Sequence, residues 1–301
     1  MKIPVLVIAF NRPERVKKVL DAIGNYQPSR LYLACDGPRS GIKGEDLLVA
    51  QTKKVMLLSI NWDCDIYTLF RDKNLGCKNN VYNAISWFFE NEEYGVIIED
   101  DVVVSTDFFT LCEELLPRYV YTEKVMEISA ENYSGRQDVR NTYVYSQCFH
   151  IWGWATWRRA WEKMDLNMSQ YHRLSISFLI KRLGVFRGFM MNYYFTKMKE
   201  NVKIATTWDT QWFWSILAND GFVIVPGVNL AVNIGMTEGT HYKKNARNPY
   251  SMLKIDQFNW PLVFNDDFLI DKKQKFYDNI DFLRIRWFGL INRLKYGICK
   301  L

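Results

Sequence analysis

The sequence is poor in histidine and contains neither a glycine-rich stretch nor a long apolar run. Three histidines stand among 301 residues, and none is paired with a second His or a Cys at zinc spacing, so a structural zinc site is not expected. Six cysteines (Cys35, Cys64, Cys77, Cys112, Cys148 and Cys299) are scattered without a CxxC pair. Met1-Lys2-Ile3-Pro4 runs straight into a strand-like stretch, so no secretory leader is expected. Free thiols in a reducing cytoplasm then fit better than a disulfide framework. No apolar stretch approaches the about 18 residues that a membrane-spanning helix needs. There is no repeat, no low-complexity tract and no Gly, Ser or Pro-rich linker. Neither sign of charge dominates: 39 basic against 33 acidic residues give +6. That small surplus suits an anionic ligand or a membrane surface. The cations are not interleaved with aromatics on a recognisable motif, so no nucleic-acid partner is expected.

What is present is a core. Hydrophobic residues make up 49% of the chain and aromatics 16%, with 11 Trp, 17 Tyr and 19 Phe, which excludes a disordered or fibrous chain. The first third alternates strand and helix. Val5–Phe10 is a continuous apolar run, as in a strand covered on both faces. Pro13 opens a helix whose apolar stripe is Val16, Val19, Leu20 and Ile23. Leu31–Cys35 is a second strand, a helix over Asp46–Leu58 and a strand over Asp65–Phe70 follow, and Val81, Ile85 and Phe88 mark the next helix. The strand Val96–Ile98 ends in Glu99-Asp100-Asp101. This rhythm predicts an open α/β sheet with right-handed crossovers. Beyond residue 125 the pattern is mixed: strands near Val125–Ile128, Tyr143–Gln147 and Phe222–Val225, and helices over Trp154–Met164, Leu174–Asn201 and Asp209–Asn219.

In an open α/β sheet, ligands bind beyond the carboxyl ends of the strands. Three polar clusters lie there: Asn11-Arg12, Asp36-Gly37-Pro38-Arg39 and Glu99-Asp100-Asp101. Adjacent carboxylates after a buried strand repel one another unless a cation compensates, and hard oxygens suit Mg²⁺ or Mn²⁺ completed by water and phosphate. The same acids would also serve as solvated loop residues or helix caps. Arg12 and Arg39 have the forked geometry that binds a diphosphate, although Arg12 would equally serve as a surface residue at a helix start. Asp36 would accept hydrogen bonds from a base edge, or simply form the turn before Gly37. Trp154, Trp157 and Trp161 have core-stripe spacing. Trp154, after Gly153, is the one placed to cover the apolar face of a sugar.

Strands ending in Ala-Phe-Asn-Arg, Ala-Cys-Asp-Gly and Glu-Asp-Asp, followed by Gly153-Trp154, Trp208-Asp209 and Gly239-Thr240-His241, resemble the GT-A glycosyltransferases. Within them the pattern is similar to N-acetylglucosaminyltransferase I and its bacterial relatives, over residues 4 to 245. The resemblance implies a GT-A, Rossmann-like nucleotide-diphospho-sugar transferase fold over 1–277. That domain comprises a nucleotide-binding half (1–104) and an acceptor-binding half (105–277). It implies an inverting transferase moving a GlcNAc or hexose unit from a UDP-sugar, with Mn²⁺ or Mg²⁺, to a glycan hydroxyl. By the same resemblance Asp101 holds the metal with His241, and Asp100 lies at the ribose or sugar. Glu99 touches the donor sugar or supports the loop, Asp36 reads the uracil edge, Arg12 and Lys243 meet the diphosphate, and Asp209 is the base. Thr210 stands where the family has a second acid. Asp209 is also a good helix N-cap, and the two roles are compatible.

The last segment, 278–301, is basic and amphipathic, as is Phe178–Arg187. Each suits an anionic membrane interface, with a lipid-linked acceptor and a peripheral seat on the cytoplasmic face of a bacterial inner membrane; each equally suits a helix packed on the domain. Two other readings compete. A sugar nucleotidyltransferase needs a glycine-rich phosphate loop, and none follows the first strand. A non-catalytic carbohydrate- or lipid-binding protein leaves the acid cluster unexplained.

Overall fold

The computed structural model describes residues 2–136, 138–171, 174–235 and 253–283. The expected alternation is present at the N-terminus. Strand β1 (Val5–Ala9) is followed by α1 (Pro13–Ile23), β2 (Arg30–Cys35), α2 (Glu45–Leu58), β3 (Asp65–Phe70), α3 (Gly76–Asn91) and β4 (Tyr94–Glu99). Every residue of β1 is buried, and α1 turns Val16, Val19, Leu20 and Ile23 inward with Pro13 at its first position. Pro is tolerated there because that amide has no helical partner.

A short β5 (Val102–Val104) leads into α4 (Thr106–Arg118), capped by the Ser105 hydroxyl, which accepts from the Phe108 amide. Then come β6 (Val125–Ser129), β7 (Tyr143–Ser146), β8 (Trp154–Trp157), α5 (Arg158–Trp161), α6 (Ile176–Leu183), α7 (Val185–Glu200), α8 (Asp209–Ala218), β9 (Phe222–Pro226) and β10 (Ala231–Asn233). A further helix covers 272–283. Among the described residues no helix is long and apolar enough to cross a membrane.

Eight strands form one sheet in the order β3-β2-β1-β4-β8-β6-β9-β7, and β5 pairs antiparallel with β10 beside it. β1 to β4 are mutually parallel, β8 is antiparallel to both β4 and β6, β9 is parallel to β6, and β7 is antiparallel to β9. Six of the eight strands therefore point the same way. The fold is α/β with a mostly parallel mixed sheet, Rossmann-like in its first half. Its strand order reverses at β1, with β2 on one side and β4 on the other, which opens a crevice between the ends of β1 and β4.

Two expectations are corrected. The first concerns residues 154–164, expected to be helical throughout; they begin as strand β8 and turn helical only over Arg158–Trp161. β8 lies inside the sheet with both faces covered, so its sequence shows no polar alternation, and tryptophans three and seven apart imitate a helix stripe. Trp154 is 1% exposed. Its ring stacks on Trp208 at 5.8 Å and lies within 6.3 Å of Trp161 and 5.7 Å of Trp212. It has no free face for a sugar, because the cluster that fixes α8 to the sheet uses both. The second concerns the boundary at 278, which falls inside the helix over 272–283. Asp278 is buried there, accepting from the Ser146 hydroxyl at 2.7 Å and the Gln274 amide at 2.9 Å. The rest of the basic segment, 284–301, lies outside the described residues.

Replacing a fully buried aromatic leaves a cavity its neighbours cannot fill. Trp154→Ala should lower the unfolding free energy by about 3–5 kcal/mol in a denaturant titration, and Trp154→Phe by clearly less.

Candidate active site

The crevice at the strand-order reversal is a cleft of about 470 Å³ lined by Phe10, Asn11, Arg12, Asp36, Arg39, Asn74, Cys77, Asn80, Glu99 and Asp100, among others. Three expected donor-side acids, Asp36, Glu99 and Asp100, and both arginines therefore meet at one sheet edge. The acid triplet is held by the turn between β1 and α1. The Asp100 carboxylate accepts from the Phe10 amide at 3.2 Å and from Arg12 Nη1 at 3.1 Å. The same Nη1 donates to Asp101 Oδ2 at 2.9 Å, and Arg15 approaches that oxygen at 3.9 Å. The cation that answers these two carboxylates is thus a guanidinium of the chain itself.

Compensation is incomplete. Burial, with repulsion from Asp101, Asp100 and Asp209, pushes the Glu99 carboxyl up to about 8. Burial also raises Asp100, to about 6, against the pull of Arg12. Asp101 is pinned from the far side. Its carbonyl accepts from the Ile234 amide at 2.8 Å, Asn233 Nδ2 lies 3.3 Å from its Oδ1, and a Cβ on Gly235 would fall 2.3 Å from its Oδ2. A side chain at this position would displace the Asp101 carboxylate. The chain leaving β10 leads into 236–252, so His241, Lys243 and Lys244 lie outside the described residues.

Asp36 is buried and already engaged. Its carboxylate accepts from the amides of Gly37 (2.9 Å), Leu75 (2.9 Å) and Gly76 (3.1 Å), which ties the start of α3 to the end of β2. It shapes the cleft wall, and a base edge would have to compete with three backbone donors. Arg39 forks onto Glu45, with Nη2 at 2.5 Å and Nε at 3.1 Å from one oxygen. Asn11 donates to the same carboxylate at 3.0 Å, so Arg39 stands at the rim with its charge partly answered. Asp209 is the first residue of α8, one position past the cap, which is Trp208. Its Oδ1 accepts from the Thr210 amide at 2.8 Å, and its charge reaches Glu99 and Cys77. It therefore shares the field of the acid cluster.

A second acidic pair was not expected. Glu127, in the middle of β6, is 0% exposed and accepts from the His150 amide at 3.0 Å and Trp212 Nε1 at 2.7 Å. Glu131, also buried, accepts from the Trp152 amide at 3.1 Å and from the Tyr133 hydroxyl. Burial raises Glu127 to about 8 and Glu131 well above its ordinary value, and it depresses His150 to about 4. A lone acid inside the apolar strand Val125-Met126-Glu127-Ile128 was the signal that would have disclosed Glu127.

The donor chemistry at the triplet suits a hard divalent cation, yet among the described residues no three His, Cys, Asp or Glu side chains gather to hold one. A cation would fit there as sites of this kind do when one or two carboxylates are completed by substrate phosphate oxygens.

No family model and no curated protein sequence matches this chain. Among solved structures, the chain is similar to S. aureus TarS 1-349, with 10% identity over 75% of this chain and 58% of that one at TM-score 0.39. It is similar to 4-diphosphocytidyl-2C-methyl-D-erythritol synthase from Anaerococcus prevotii, with 10% identity over 74% of this chain and 88% of that one at 0.36. A third is the glycosyltransferase GlyE of Streptococcus pneumoniae, with 10% identity over 58% of this chain and 41% of that one at 0.30. At these scores none lends its activity to this chain.

The buried Glu127 gives a pH signature. Its folded-state value near 8 lies above the ordinary carboxyl value of 4.5, so between these the folded chain keeps a proton that the unfolded chain has released. Stability from this group is full below about pH 4.5 and falls as pH rises to about 8. Glu127→Gln should flatten that part of the decline, measured as unfolding free energy at pH 5, 6, 7 and 8.

Proposed function

We propose that this chain is an inverting glycosyltransferase that moves a sugar, GlcNAc or a hexose, from a UDP-sugar to a hydroxyl of a glycan acceptor. One observation carries the reading: an acid cluster, in which Glu99 and Asp100 are raised by burial and Asp100 and Asp101 are bridged by Arg12, sits at the strand-order reversal of a mostly parallel sheet beside a cleft. Such crevices accept nucleotides, and acids with shifted pKa mark reactive sites.

In this reading the donor diphosphate enters at the ends of β1 and β4. Arg12 and Arg15, now answering Asp100 and Asp101, turn part of their charge to the phosphates, and Arg39 guards the rim beside Phe10. Asp209 takes the proton from the acceptor hydroxyl as its oxygen attacks the anomeric carbon in line. The new C–O bond forms as the bond to the diphosphate breaks, and that electron pair leaves with UDP. Glu99 touches the donor sugar. Trp152, half-buried on the loop before β8, replaces Trp154 as the aromatic candidate for the sugar face. Asp101, with His241 and the donor's own diphosphate, would hold Mn²⁺ or Mg²⁺, which when bound supplies positive charge beside the leaving group. Lys243 belongs to the same donor side.

Calorimetric titration of UDP and a panel of UDP-sugars, with and without Mn²⁺, tests the donor site. Metal-dependent binding that Asp101→Ala abolishes is expected, and the best-bound sugar names the donor. No nucleotide binding with metal present would overturn the reading and bring a sugar-binding protein without turnover to the front. Asp209→Asn should lower turnover by about 10²–10⁴-fold with donor affinity nearly unchanged. An equal loss of affinity would instead place Asp209 in donor binding.

A further inference from the structure

The region after α5 carries an apolar surface with no role in the cleft. α6 and α7 pack as a pair, so closely that a Cβ on Gly188 would fall 2.8 Å from the Ile180 amide nitrogen. The inner face of α7, with Arg187, Gly188, Met191 and Phe195, is buried against α8 and its neighbours. Its outer face is where a helix in water places polar side chains. Here Val185, Phe186, Phe189 and Tyr193 occupy it, each between 52% and 65% exposed. Phe186, Phe189 and Tyr193 are spaced i, i+3, i+7, so they form one strip along the helix.

The patch adjoins the helix over 272–283. Arg187 Nη1 donates to the Asp278 carbonyl at 3.1 Å, Phe186 and Phe282 have ring centres 6.4 Å apart, and Leu283 beside them is 45% exposed. Residues 174–204 hold six cations against a single acid, Glu200. Arg187 is buried, Arg182 is paired with Asp220 and Lys197 with Glu200, and Lys181, Lys199 and Lys203 are exposed. From Leu283 the sequence continues through 284–301 with five cations and no acid. An exposed aromatic strip flanked by cations is the composition of a helix that lies in the headgroup region of an anionic bilayer: aromatics enter the acyl boundary and cations meet lipid phosphates.

We propose that the outer face of α7, with the adjoining end of the 272–283 helix, docks this protein on an anionic lipid bilayer. A protein partner or a second copy would account for the apolar strip but not for a cationic surplus concentrated on the same helix pair. The proposal is independent of the transferase reading, since none of these residues lines the donor cleft.

Flotation of the full chain with phosphatidylcholine vesicles, with and without phosphatidylglycerol, tests it. Binding to the anionic vesicles, weakened by salt and by omission of phosphatidylglycerol, is expected. The triple variant Phe186→Ser, Phe189→Ser, Tyr193→Ser should bind at least about tenfold more weakly, with an unchanged circular dichroism spectrum because its targets lie on the surface. Lys181→Glu with Lys197→Glu should lose the phosphatidylglycerol-dependent part, and this pair decides the matter if the triple variant does not fold. Wild-type protein that ignores vesicles would overturn the proposal. So would a folded triple variant that binds like wild type, or one whose only change in sedimentation velocity is the loss of a dimer.

Discussion

The structure of the candidate site depends on one ion-pair arrangement: the guanidinium of Arg12 held between Asp100 and Asp101. Consecutive acids at the end of a buried strand are costly because burial removes the water that would screen them. Arg12 reaches both, and the Phe10 amide, two residues back, donates to Asp100 as well. The turn that starts α1 and the acids that end β4 thus fix each other. Burial, with repulsion from Asp101, Asp100 and Asp209, raises the proton affinity of Glu99, and Arg12 offsets that only in part.

A second link ties the far half to the same edge. Trp208 stacks on Trp154 of the central sheet, and Trp212 lies beside Trp154 while its indole donates to Glu127 inside β6. Asp209 stands between these two anchors on α8. Its position relative to the acid cluster is set by packed rings and one buried hydrogen bond, which is the rigid placement that the proposed role as a base calls for.

The N-terminal half was legible because its periods are clean: a buried apolar run for β1, a helix stripe for α1, and polar residues where each strand stops. Those stops pointed to one edge of the sheet, and Arg12, Asp36, Arg39, Glu99 and Asp100 do line one cleft there. What each side chain is bonded to was not legible. Asp36 is used by the amides of Leu75 and Gly76, and no local pattern foretells a partner on the next strand's exit. Arg39 is diverted to Glu45, the first residue of α2, one position before the helix start that the pattern gives. β8 was misread because an interior strand lacks alternation and its tryptophans fell at helical intervals. β5 and β10, three residues each, leave no period at all.

The reversed strand β8 also fixes the order in which this protein becomes whole. It is hydrogen-bonded on one side to β4 and on the other to β6, yet it comes after both in the chain. While the polypeptide is being synthesised, the finished β1 to β4 half presents β4 as an open, apolar edge until residues 154–157 have emerged. A ribosome pausing within that interval would expose a strand edge competent to pair with another nascent chain. For the same reason, a fragment ending near residue 104 would carry β1 to β4 with one side of the sheet unsealed.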